Sequence, residues 1–185
     1  MNLPNRITVC RMFIAPIFLV MYFIGLKHGM LISALIFAIG SITDFLDGRL
    51  ARKNNIVTNF GKLLDPIADK MLVTAGLLAL LKDGLCSIWI VMLILTREFA
   101  VTSVRMIASA QGVVIPANIV GKIKTAMQMI SFIVIMLLGE MKFAFGVEIP
   151  LALISNILLG LTAVVAVISG LVYLFDSRKV IDFKK

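Results

Sequence analysis

The stretch Asp44-Phe45-Leu46-Asp47-Gly48-Arg49-Leu50-Ala51-Arg52, continued by Gly61, Asp65 and Asp69, decides how this chain is read. It gathers four of the ten acidic residues into 26 consecutive positions. The surrounding chain is 61% hydrophobic with a mean hydropathy of +1.07, whereas soluble domains carry roughly 45–50% apolar residues. A carboxylate at membrane depth costs roughly 2.5–3.5 kcal/mol on insertion scales. Four of them side by side also repel one another. Divalent cations held by oxygen ligands relieve both penalties, so the cluster is expected to be a metal site.

Working outward, hydropathy divides the 185 residues into six apolar spans, roughly 8–26, 30–50, 62–82, 86–109, 117–139 and 151–174. Each approaches the ~20 residues needed to cross a bilayer core. Polar breaks at Lys27-His28-Gly29, Lys82-Asp83-Gly84 and Glu140 to Pro150 separate three pairs of them. The first span lacks a small-residue cleavage site and is expected to be retained. Before it, Asn2-Leu3-Pro4-Asn5 suits a short interfacial segment. With a cytoplasmic N-terminus, only Lys27, Lys82 and Lys142 of the 18 Lys and Arg residues fall on the outer side. So strong a positive-inside bias puts both termini in the cytoplasm. The fold expected is all-α: one domain over 1–185, six transmembrane helices around a polar cavity open to the cytoplasm, in a cell (inner) membrane.

The net charge of +8 is dispersed among the spans, which argues against nucleic acid and for membrane lipid headgroups or phosphorylated substrates. Cys10 and Cys86 have no metal or disulfide spacing, and His28 is the single histidine. Asp44 and Asp47 are spaced i, i+3, and Asp65 and Asp69 i, i+4, so each pair shares a helical face. Asn54, Asn55, Thr58, Asn59 and Gly61 between them are turn formers, which lets the two helices run antiparallel. Two cations a few ångströms apart between such pairs can stabilise both oxygens of a phosphoryl displacement. The bland alternative pairs the aspartates with Arg49, Arg52, Lys62 and Lys70. It explains one intramembrane aspartate better than four.

The pattern D-x2-D-G-x2-A-R-x8-G-x3-D-x3-D, complete here from Asp44 to Asp69, resembles the signature of the CDP-alcohol phosphatidyltransferases. The resemblance implies a CDP-activated lipid whose lipid-side phosphorus is attacked by an alcohol, with CMP leaving. It implies two divalent cations, Mg²⁺ or Mn²⁺, one held by Asp44, Asp47 and Asp65 and the other by Asp44, Asp65 and Asp69. Asp69 is by the same token the candidate catalytic base. Gly48, Ala51, Arg52 and Gly61, together with Asn5, Thr8 and Arg11 of the opening segment, are the candidate CDP-lipid contacts. A homodimer is implied as well.

For the acceptor, Arg97 and Arg105 lie eight residues apart on the fourth span, and Lys122 and Lys124 open the fifth. Cations this deep need anionic partners, and a phosphate on the acceptor would be one. Otherwise Arg97 pairs with Glu98 and the lysines anchor their helix at the interface. The segments from Arg97 to Arg105 and from Gly121 to Thr125, with the opening Asn2 to Arg11, are similar to the branch of bacterial phosphatidylglycerophosphate synthases. That branch uses sn-glycerol 3-phosphate and CDP-diacylglycerol. The chain departs from it at Ser103-Val104, where a Gly-Leu pair is common. Inositol phosphate fits the same charges, whereas serine or inositol leaves them with less to do; a phosphatidyl lipid is a further alternative acceptor. A divalent-cation transporter is the reading from another class. Carboxylates crowded at one membrane face, without repeat symmetry, speak against it.

Overall fold

The computed structural model describes residues 3–54, 59–111 and 119–177; the side chains of 3–9, 11, 44–54, 59–66, 69 and 110 lie outside that description. Among the described residues the chain is all-helical, with no strand. Its six helices are α1 (Leu3–Phe23), α2 (Gly29–Asn54), α3 (Asn59–Lys82), α4 (Ile88–Ala110), α5 (Ile119–Phe145) and α6 (Leu151–Ser177). Of these, α5 and α6, at 27 residues each, are long and apolar enough to cross a membrane. In α1 and α2 the uninterrupted apolar lengths are shorter, Met12–Phe23 and Gly29–Thr43. Both helices run on into charged sequence.

Several boundaries differ from those expected. The opening segment is not separate from the first span, because α1 runs unbroken from Leu3. Pro4 stands in its first turn, where a missing N–H does no harm. Of the turn formers after the second span, Asn54 closes α2 and Asn59 and Gly61 open α3; Asn55 and Thr58 lie outside the described residues. The polar break after the fifth span also begins later, since α5 continues through Glu140 to Phe145. Glu140 pairs with Nδ1 of His28 and accepts the backbone N–H of Leu31 at 3.3 Å, binding the start of α2 to the end of α5.

Two packing styles share the interior. Around α1, α2, α3 and α5 it is aromatic: Phe18, Phe37 and Phe132 are buried, with ring centroids 5.8 Å apart for Phe18–Phe37 and 4.9 Å for Phe37–Phe132. Gly40 and Gly76 let the backbones approach. A Cβ at Gly40 would stand 2.8 Å from Leu72, and one at Gly76 3.2 Å from Phe132. Small residues at such crossings are the usual route to close helix packing in lipid.

Among α4, α5 and α6 polar groups are buried alongside the apolar ones. Ser131 meets Thr162 at 3.5 Å, Ser155 donates to the carbonyl of Leu85, and the N–H of Ser87 donates to Asn156 at 2.9 Å. Meanwhile Trp89, Phe99, Ile119, Leu153, Ile157 and Phe175 are exposed. Polar groups inside and large apolar side chains outside reverse the soluble arrangement.

Candidate active site

The aspartates stand on two helices that touch: Asp44 and Asp47 on the C-terminal half of α2, Asp65 and Asp69 on the first turns of α3. Continuous helix at all four positions puts each pair on one face of its own helix. Their side chains, with those of Asn5, Thr8, Arg11, Gly48, Ala51, Arg52 and Gly61, lie outside the described residues. As a donor set, four carboxylates supply the hard oxygen ligands that Mg²⁺ and Mn²⁺ take. The chemistry of these residues therefore fits the cations that the signature implies.

One residue beyond Asp69, the ammonium of Lys70 forms an ion pair with Glu98 of α4. Glu98 is the centre of the described polar interior. It is 5% exposed and carries three cations: Lys70 from α3, its neighbour Arg97 at 3.1 Å, and Lys124 from α5. Such burial is tolerable only because the charge is paired and hydrogen-bonded. Lys124 is itself 1% exposed and also donates to Oε1 of Gln128, one turn further along α5. Arg97 donates from Nε and Nη2 to Oγ of Ser169 on α6, at 3.2 and 2.9 Å. Glycines frame it: a Cβ at Gly170 would come within 2.9 Å of Arg97 Cγ, and one at Gly121 within 3.4 Å of Nη2.

Of the four cations expected at an acceptor phosphate, Arg97 and Lys124 are brought together through Glu98. The other two stand apart. Arg105 lies about 12 Å further along α4, exposed, with Nε donating to the Tyr173 hydroxyl at 3.3 Å and its guanidinium 5.3 Å from that ring. Lys122 is exposed, because two residues on a helix turn it roughly 200° from Lys124.

The sequence treats Glu98 as no more than a neighbour of Arg97. Nothing in the local pattern reveals that Lys70 and Lys124 converge on it. Gln128 was discoverable, since it stands i+4 from Lys124 on one face.

Beside this cluster, a cavity of about 580 Å³ runs between α1, α3 and α4. Its wall is apolar (Leu19, Met71, Leu78, Phe99 and Met106 among others), with Lys70, Thr74, Thr102 and Ser103 as the polar members.

The fold is a helical bundle with paired aspartates on adjoining helices and buried cations alongside. The chain belongs to the CDP-alcohol phosphatidyltransferase family, whose profile matches residues 1–174. It is 44% identical over 142 residues to the CDP-diacylglycerol–glycerol-3-phosphate 3-phosphatidyltransferase of Bacillus subtilis, covering 70% of this chain and 74% of that protein. To the enzyme of the same name from Rickettsia bellii it is 38% identical over 178 residues, 96% of each. A probable phosphatidylglycerophosphate synthase of Mycobacterium tuberculosis is 38% identical over 164 residues, covering 86% of this chain and 78% of that one.

Proposed function

We propose that this enzyme transfers the phosphatidyl group of CDP-diacylglycerol to sn-glycerol 3-phosphate, forming phosphatidylglycerophosphate and CMP. The observation that carries the reading is the charge arrangement: a complete aspartate motif on α2 and α3, and a buried cation group one residue from its last member. The names of the full-length relatives supply the acceptor.

In this reading Asp44, Asp47, Asp65 and Asp69 hold two divalent cations, Mg²⁺ or Mn²⁺. When bound, these neutralise the charge on the attacking and leaving oxygens. Gly48 and Ala51 leave room for the nucleotide, and Arg52 offers a fork of N–H donors to the diphosphate. Asn5, Thr8, Arg11 and Gly61 complete the CDP-lipid contacts. Arg97 and Lys124 bind the acceptor phosphate, with Arg105 and Lys122 nearer the approach. The acceptor hydroxyl attacks the lipid-side phosphorus, the bond to the CMP oxygen breaks, and Asp69 takes the hydroxyl proton. The apolar cavity beside Lys70 gives an acyl chain of the donor a place next to the diphosphate.

All six helices span the inner membrane in this proposal, with the polar cavity, both termini and the site facing the cytoplasm, and a second copy of the chain completes a homodimer. The outward-facing apolar side chains of α1 to α6 support the spans, and the dispersed basic residues support the orientation.

The decisive assay measures CMP release by purified protein with CDP-diacylglycerol and Mg²⁺ or Mn²⁺. Glycerol 3-phosphate, inositol phosphate, inositol and serine are supplied one at a time. Release with glycerol 3-phosphate alone, abolished by EDTA, is the expected result. Release with a different acceptor would keep the chemistry and overturn the acceptor. Silence with every acceptor, from folded protein, would return the aspartates to an ion pathway.

A further inference from the structure

We propose that Glu98 is a positioning residue for the acceptor phosphate, gathering Lys70, Arg97 and Lys124 from three helices into one phosphate-reading patch. The inference rests on the acceptor reading above and adds to it a residue of the opposite charge.

Three observations carry it. First, three cations share one carboxylate among the described residues, a gathering of N–H donors that a phosphate monoester dianion complements. Second, donors are left over. Oε1 of Gln128 is taken by Lys124, which fixes the amide orientation, because an ammonium can only donate. Nε2 of Gln128 then has no partner, although the residue is 1% exposed. A buried amide N–H without an acceptor is costly, and a bound oxygen would satisfy it. Arg97 likewise keeps a second N–H on each of Nη1 and Nη2 beyond those given to Glu98 and Ser169.

Third, Glu98 is the one described group that all three cations share. Its Oε2 takes Lys70, and its Oε1 takes both Arg97 and Lys124. Three like charges from α3, α4 and α5 would otherwise repel and spread. An acceptor phosphate entering the patch then finds its donors already converged, without first having to draw them together.

The direction of the effect separates this role from simple charge balance. Glu98→Gln keeps the size and removes the negative charge. If Glu98 merely offsets cations, the variant should bind a phosphorylated acceptor more tightly. If it positions them, the KM for glycerol 3-phosphate should rise by about tenfold or more, the change expected from losing a charge-assisted hydrogen bond. The KM for CDP-diacylglycerol should stay within about twofold and kcat within a small factor, a split that general loss of structure does not produce.

Glu98→Asp keeps the charge on a shorter arm and should show the same split at smaller size. An acceptor KM that is unchanged or lower in Glu98→Gln overturns the proposal while leaving the acceptor reading intact. A wild type that refuses glycerol 3-phosphate overturns both. Failure of both variants to fold would make Glu98 a folding determinant and overturn the positioning role.

Discussion

The first three helices and the last three use charge in opposite ways. In α2 and α3 the acidic residues recur at fixed short spacings, so their geometry is written into helical periodicity. Around α4 and α5 the charges come from distant positions and meet on one carboxylate, with Lys70 reaching it from α3 and Lys124 lying 26 residues from Glu98, while Ser169 of α6, 72 residues from Arg97, supplies a neutral hydroxyl. The first arrangement supplies four like charges, the ligand set of the proposed cations. The second is a self-paired group, three cations on one carboxylate among the described residues. Placed side by side, they suit the two ends of a phosphoryl transfer, one gripping the donor's diphosphate and the other the acceptor's phosphate.

The sharpest way to break this contrast is Asp65→Asn. It removes a charge shared by both proposed cations and should abolish turnover with every acceptor, while the protein stays folded in detergent. Normal CMP release would end the ligand-set reading.

Next in size is Phe37→Ala, at the centre of the aromatic packing. A buried Phe truncated to Ala typically costs about 3–5 kcal/mol. Thermal unfolding should fall markedly, with no preference between the two substrates' KM values in whatever remains active. A substrate-selective defect would mean the aromatic core is not a neutral scaffold.

Arg105→Ala tests the second half. The acceptor KM should rise by about tenfold, again as for one charge-assisted hydrogen bond, with the CDP-lipid KM much less affected. Equal changes in both would remove Arg105 from the acceptor side.

Gly170→Ala is the gentlest probe. Its Cβ would lie 2.9 Å from Arg97 Cγ, so the guanidinium must shift by a few tenths of an ångström. A rise of a few-fold in acceptor KM with kcat preserved is expected, and steady-state kinetics would read it. An unchanged KM would mean Arg97 yields without consequence.

What could be read in advance follows the same division. Helix number and order were visible because apolar length and polar breaks are local signals. The family was visible because the aspartate motif is contiguous. The reach of α5 past Glu140 was not, since Glu140 reads as a polar break locally while its partner, His28, lies 112 residues away. Nor was Glu98 as a hub: its neighbour Arg97 gave a sufficient local explanation, and the lysines that complete it belong to other helices. The lysine pair shows the limit most plainly. Lys122 and Lys124 look equivalent in the sequence, yet helical rotation exposes one and buries the other.

The adjacency of Arg97 and Glu98 bears on how the chain is made. As α4 leaves the ribosome it carries Arg97, Glu98 and Arg105 within 23 residues, while Lys124 has yet to be synthesised. Glu98 can meet Arg97 within its own helix at once, a contact the finished protein retains at 3.1 Å. In the six-span proposal, that local neutralisation would ease entry of α4 into lipid before α5 exists. Lys70 of α3 is already made by then, and α5 adds Lys124 to complete the three-helix cluster.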